Sequence, residues 1–240
     1  MPRLVVLGCG TGVGKSRVSA ALLRELSARG VPCLGLKPIE SGITLGTNAT
    51  EAPRAPEGSD ARLLQDAGSL EPGVAHPLYA LAQPVSPHLA ARAEGIAIDL
   101  AEVAAWVAKA ESHATIHVSS SRAIWTVIET AGGLFSPLAP GSSNFDLARA
   151  LEPAVWVLVA ADALGVLHDT TATLEALAAR GRSADHVVLS QAREPDASTG
   201  SNAAELATLG IAQVSAVLER NDDRGVSAWV DRLLAESNRG

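Results

Sequence analysis

The stretch that most narrows the possible folds is residues 4–22, LVVLGCGTGVGKSRVSAAL. Four apolar residues end at Gly8, a glycine-rich turn follows, and then comes Lys15-Ser16 with Val18, Leu22 and Leu26 recurring at helical spacing. A buried strand, a tight turn and a helix in direct succession open an α/β unit. A helix start exposes unpaired N–H groups and the positive end of its dipole, so it is a ready anion seat. Gly10, Thr11, Gly12, Val13 and Gly14 offer a backbone able to curl around phosphate oxygens. Lys15 adds charge for the outer phosphates, and Ser16 adds a hydroxyl for a magnesium ion. The standard loop has glycine five positions before the glycine of Gly-Lys; here that position is Cys9, and Gly8 stands one residue earlier. An acyl-transfer elbow is excluded, because no G-x-S-x-G is present. A dinucleotide loop fits poorly, since Lys15 stands where its last glycine belongs.

The rest of the chain repeats the strand-then-helix theme. Residues 32–36, IWTVIE, PAVWVLVA, DHVVLS and AQVSAVL read as strands. Asp60 to Ala67, the segment around Leu100, Val103, Ala104 and Val107, GVLHDTTATLEALAARG, and the stretch holding Val226, Trp229, Val230 and Leu233 read as helices. In the third of these, Leu167, Thr171, Leu174 and Ala178 fall on one side. Residues 42–58 read as a long exposed loop. Near-continuous apolar strands between helices require a mostly parallel sheet covered by helices on both faces. The expectation is a single P-loop NTPase-like α/β domain spanning 1–240.

Charge and cysteine content then limit the partners. A formal charge of -7 argues against a large nucleic-acid surface, which needs clustered Lys and Arg. Cys9 and Cys33 are the only cysteines, so neither a disulfide framework nor a zinc site is expected. No apolar run reaches the ~20 residues of a membrane helix, and the apolar run before Gly8 is too short for a secretory signal. The expected address is cytoplasmic, without membrane or nucleic-acid partners. His76, His88, His113, His117 and His186 show no metal-ligand spacing and read as surface or packing residues.

Several motifs, in order, resemble those of the dethiobiotin synthetases. GCGTGVGKS is similar to that family's G-T-x-T-x-V-G-K-[ST], except at Cys9, and LKPIESG to its K-P-x-x-[ST]-G. GSDARLL, QPVSPHLAA, VIETAGGLFSPL and ALGVLHDTTATLEAL parallel later family segments, so the resemblance runs from Leu4 to about Ser190. It implies an ATP-dependent ring-closing ligase of biotin synthesis, acting as a homodimer on small molecules. It places Lys15 and Lys37 as catalytic cations and Ser41 as a substrate contact. Ser16, Asp60 and Glu129 become ligands of Mg2+, and Ser190 a nucleotide contact where many members carry asparagine. Backbone N–H groups of Gly165, Val166 and Leu167 would receive a substrate carboxylate across a dimer interface.

The residues themselves leave some of these roles open. Asp60 after Ser59 also reads as an ordinary first-turn acid. Glu129 closes an apolar strand, where a carboxylate is costly to bury unless it meets a cation. Thr130 replaces a family glycine and would stand beside the phosphates, and His168-Asp169 replaces the usual Asn-His pair. The mechanism that the resemblance implies has CO2 taken up as a carbamate on the 7-amino group of 7,8-diaminononanoate. The carbamate attacks the γ-phosphate of ATP, and the second amine closes the ureido ring. Two rivals remain: a related ATP-dependent ligase for another substrate, and a non-catalytic nucleotide-binding regulator. A GTPase is disfavoured, since N-K-x-D is absent.

Overall fold

A computed structural model describes residues 1–43, 54–118, 122–220, 222 and 224–237. The chain runs β1 (Arg3–Gly8), α1 (Lys15–Ala28), β2 (Cys33–Leu36), β3 (Ile39–Ser41), α2 (Asp60–Ala67), β4 (Tyr79–Leu81), α3 (Pro87–Ala93) and α4 (Leu100–Ile116). It continues with β5 (Trp125–Glu129), β6 (Pro137–Ala139), β7 (Ser142–Ser143), α5 (Asn144–Ala150), β8 (Val155–Asp162), α6 (Val166–Ala178), β9 (His186–Gln191), α7 (Asn202–Thr208), β10 (Val214–Leu218) and α8 (Arg224–Ser237).

Six strands form one sheet in the order β10-β9-β8-β1-β5-β2, every pair parallel. The alternation of side chains along β1 splits the core into two layers. Leu4 and Val6 join Val18, Leu22, Leu26 and Trp229 on the face covered by α1, α2 and α8. Val5 and Leu7 join Val103, Val107, Leu147 and Trp156 on the face covered by α3, α4 and α5. The expected mostly parallel sheet with helices on both faces is therefore what the chain forms. Gly35 lets α2 approach, because a Cβ there would lie 2.4 Å from the Leu64 carbonyl oxygen.

Short elements escaped the pattern. The two-stranded pairs β3-β4 and β6-β7, and the seven-residue helices α3, α5 and α7, are too brief for a periodic signal. In α6 the side that packs is Val166, Thr170, Thr173 and Leu177, rotated from the one expected. There the Thr170 and Thr173 hydroxyls lie beside Cys9, while Leu167 and Leu174 are only partly buried. Of the expected loop, residues 44–53 lie outside the described residues. Ala55 is buried and donates its N–H to Gln65 Oε1 at 3.0 Å. Among the described residues no helix is long and apolar enough to cross a membrane.

Candidate active site

β1 ends at Gly8, and the chain turns back so tightly that a Cβ there would come within 2.8 Å of the Gly10 carbonyl oxygen. This close approach accounts for glycine at position 8 rather than 9. The Cys9 N–H donates to the Val159 carbonyl at 2.9 Å, tying the loop to β8. Gly14 is the cap residue of α1, with φ 92, and no side chain caps this helix. First-turn N–H groups thus face the cavity as a positive dipole end.

The loop, Lys37, Asp60 and Glu129 wall a cavity of about 380 Å3. Lys15 curls over the loop, its Nζ 3.3 Å from the Gly10 carbonyl oxygen. It is 6% exposed, and burial lowers its pKa to about 8, with Glu129 working in the opposite direction. Glu129, at the C-terminal end of β5, is wholly buried. Its Oε1 accepts from the Ser16 hydroxyl at 2.8 Å and from Lys37 Nζ at 2.5 Å. Lys37 Nζ also meets Asp60 Oδ2 at 3.1 Å. Burial works to lower the Lys37 pKa, but the Glu129 and Asp60 carboxylates more than offset it, and the net direction is upward. Lys37 is therefore a fixed cation.

The structure brings Thr11, Gly12, Gly14, Lys15, Ser16, Lys37, Ser41, Asp60 and Glu129 to one cavity. Gly10 and Val13 shape the loop from behind, Val13 packing against the core. Ser190 is 2% exposed and lies under the loop, where its Oγ would be 2.3 Å from a Cβ at Gly14. From there it supports the loop rather than reaching outward. Thr130 does not stand beside a phosphate site as expected: its hydroxyl turns into the sheet and donates to the Val6 carbonyl at 3.0 Å. Gly165, Val166 and Leu167 lie away from this cavity, at the start of α6, where the Val166 N–H is taken by the Ala163 carbonyl at 3.2 Å. Asp169 is exposed.

Two residues escaped the sequence reading. Glu40 is buried and accepts from the Asp60 and Ala61 N–H groups at 2.7 and 2.9 Å, so it holds the start of α2. His76 is buried and accepts from the Lys37 N–H at 2.8 Å. The carboxylate in KPIESG was a faint signal for Glu40; none existed for His76.

A parallel sheet whose first strand feeds a glycine loop, a helix N-terminus and a buried lysine defines a P-loop NTPase-like protein. Two solved structures agree on the fold alone. The MinC:MinD cell division protein complex of Aquifex aeolicus superposes with TM-score 0.50 at 12% identity, over 98% of this chain and 96% of that one. The cell division protein ftsY of Thermotoga maritima gives TM-score 0.51 at 13% identity, over 97% and 68%. A family model described as an AAA domain matches residues 2–225. The ATP-dependent dethiobiotin synthetase of Anaeromyxobacter dehalogenans (strain 2CP-C) is 40% identical over 211 residues, 87% of this chain and 86% of that protein. Its counterpart in Frankia casuarinae is 36% identical over 221 residues, 91% and 84%. The chain belongs to the ATP-dependent dethiobiotin synthetase family.

Proposed function

We propose that the protein is an ATP-dependent cyclo-ligase that carboxylates 7,8-diaminononanoate with CO2 and closes the ureido ring of dethiobiotin. The observation that carries this is the convergence of Lys15, Lys37 and Glu129 on one cavity beside a helix N-terminus. The loop amides and Lys15 hold the triphosphate, and Ser41 contacts the diamine. Lys37 stabilises the carbamate as it attacks the γ-phosphate and the charge spread over the transferring group. The two amines are joined in one molecule, so ring closure needs position rather than a protein nucleophile. The α6 start would receive the substrate carboxylate through the backbone in a homodimer, with Leu167 rather than Val166 free to donate. Residues 1–240 act in this reading as one domain.

Magnesium suits these residues. Glu129 Oε2 is buried without a hydrogen-bond partner among the described residues, and the Ser16 hydroxyl and Asp60 carboxylate add hard oxygen donors. Mg2+ is usually held by one or two carboxylates, with phosphates and waters completing its shell. Ser16, Asp60 and Glu129 would hold Mg2+, whose charge would neutralise the phosphates.

The test is phosphate release with MgATP and bicarbonate, with and without the diamine, together with mass analysis for a product labelled from 13C-bicarbonate. Diamine-dependent release with label retained in the ring is the expected result. ATP hydrolysis indifferent to the diamine would sink the reading.

Lys15 sets a pH dependence. Its pKa of about 8 in the fold means that it loses charge as pH rises through that value, and triphosphate affinity then falls by up to about tenfold per pH unit. Stability responds in the opposite sense. Between about 8 and the ordinary 10.5 the unfolded chain binds more protons, so this group makes the fold more stable as pH rises. Titrating a fluorescent ATP analogue from about pH 7 to 9.5 checks this. Lys15→Arg, permanently charged, should flatten the affinity profile; equal slopes would refute the assignment.

A further inference from the structure

We propose that His76 is a positioning residue that fixes Lys37 by accepting its backbone N–H. The proposal rests on the function assigned to Lys37 above. Strand β2 pairs with β5 as far as Leu36 opposite Ile128. At Lys37 the chain leaves the ladder, and its N–H is met by His76 Nε2 at 2.8 Å instead. His76 comes from a segment 39 residues further along, so this bond is tertiary and not a property of the strand.

The imidazole is itself held from behind. It is 4% exposed and packs against Trp106, ring centroids 5.6 Å apart. Trp106 Nε1 donates to the Ala75 carbonyl at 2.9 Å, anchoring the residue before His76 to α4. A continuous chain of contacts thus runs from α4 through Trp106 and His76 to Lys37 and on to Glu129. An accepting Nε2 requires the proton on Nδ1, and Nδ1 is buried with no hydrogen-bond partner among the described residues. Burial, with the Lys37 charge adding to it, holds the ring neutral, its pKa near 4. One tautomer is therefore locked in place.

The bond matters because of what lies at the other end of Lys37. A buried N–H left unmet is costly, and the backbone would shift to find another partner. Such a shift carries the Lys37 ammonium with it, and a displacement of about 1 Å in a reacting constellation costs on the order of 100-fold in rate. A rigid ring reaching from a second segment prevents this without touching substrate. His76 acts through Lys37 and is not a catalytic residue.

Two variants separate positioning from packing. In His76→Gln the amide oxygen reaches about as far as Nε2 and can still accept; His76→Leu fills similar space without an acceptor. His76→Leu should lower kcat by about 30- to 100-fold with KM for ATP nearly unchanged, and His76→Gln should recover most of that loss. If Gln is as impaired as Leu, or Leu is as active as the parent, the proposal is overturned. Amide hydrogen exchange at Lys37, which needs no turnover, reads the bond directly: slow in the parent and in His76→Gln, and at least about tenfold faster in His76→Leu. Should His76→Leu fail to fold, 15N resonances of the unaltered protein decide, because an Nε2–H tautomer refutes the bond and an Nδ1–H tautomer upholds it. A parent protein with no diamine-dependent turnover would sink the function assigned above, while exchange at Lys37 and the tautomer would still report on the bond.

Discussion

Replacing Lys37 with methionine lowers diamine-dependent phosphate release by about 10^3-fold, with nucleotide affinity changed far less. A single donor aimed at developing charge is worth about 10^2–10^3 in rate, and in the proposed mechanism Lys37 adds full positive charge facing the carbamate and the phosphoryl group. The same change also weakens the fold. Glu129 is wholly buried, and without Lys37 its only remaining hydrogen-bond partner among the described residues is the Ser16 hydroxyl. Stranding one member of a buried pair costs about 3–5 kcal/mol, a large share of the roughly 5–15 kcal/mol that keeps a domain folded. Chemical denaturation in metal-free buffer, read beside the rate, measures both effects. A variant that kept a tenth of the parent rate would refute the role given to Lys37.

Gly14→Ala abolishes nucleotide binding, with affinity reduced at least about 100-fold. Two costs coincide at this position. The backbone is left-handed, φ 92, which a β-carbon disfavours by about 1–2 kcal/mol. The new carbon would also lie 2.3 Å from Ser190 Oγ and 2.7 Å from Ser190 Cβ, so the loop must lift off β9 to admit it. Adding Ser190→Gly removes the collision but not the backbone strain, and recovers part of the affinity. Gly12→Ala is the control: its φ is 75, yet a Cβ there meets nothing within 4 Å, so only the strain remains. Equal losses at positions 12 and 14 would show that the Ser190 contact is unimportant.

What the sequence made legible was the part of the site carried by local order. Lys15 and Ser16 follow the glycine turn directly, and Glu129 closes an apolar strand, so strand and helix ends announce them. Asp60 opens α2, as its first-turn reading expected, and it also faces Lys37, a contact the sequence did not announce. Illegible were the directions of side chains just past strand ends. Thr130 looked like an intruder beside the phosphates, but its hydroxyl satisfies a sheet carbonyl. Ser190 is placed by the packing of β9 under the loop, a contact with Gly14 across 176 residues that no local spacing can encode. Glu40 and His76 belong to the same class. Each binds a backbone N–H of a site residue from another segment, and only the assembled fold makes those neighbours.

The strand order also governs how this protein can be made. β1 is synthesised first but lies between β5 and β8. A growing chain that has reached only Glu129 can assemble β2, β5 and β1, and it then presents β1 with one edge whose backbone N–H and C=O groups are unpaired. Until residue 162 leaves the ribosome, that edge is an open template for pairing with another chain. All six charged residues that line the cavity, Lys15, Arg17, Lys37, Glu40, Asp60 and Glu129, are already translated by then. A fragment holding the whole constellation is therefore also the one most prone to aggregate.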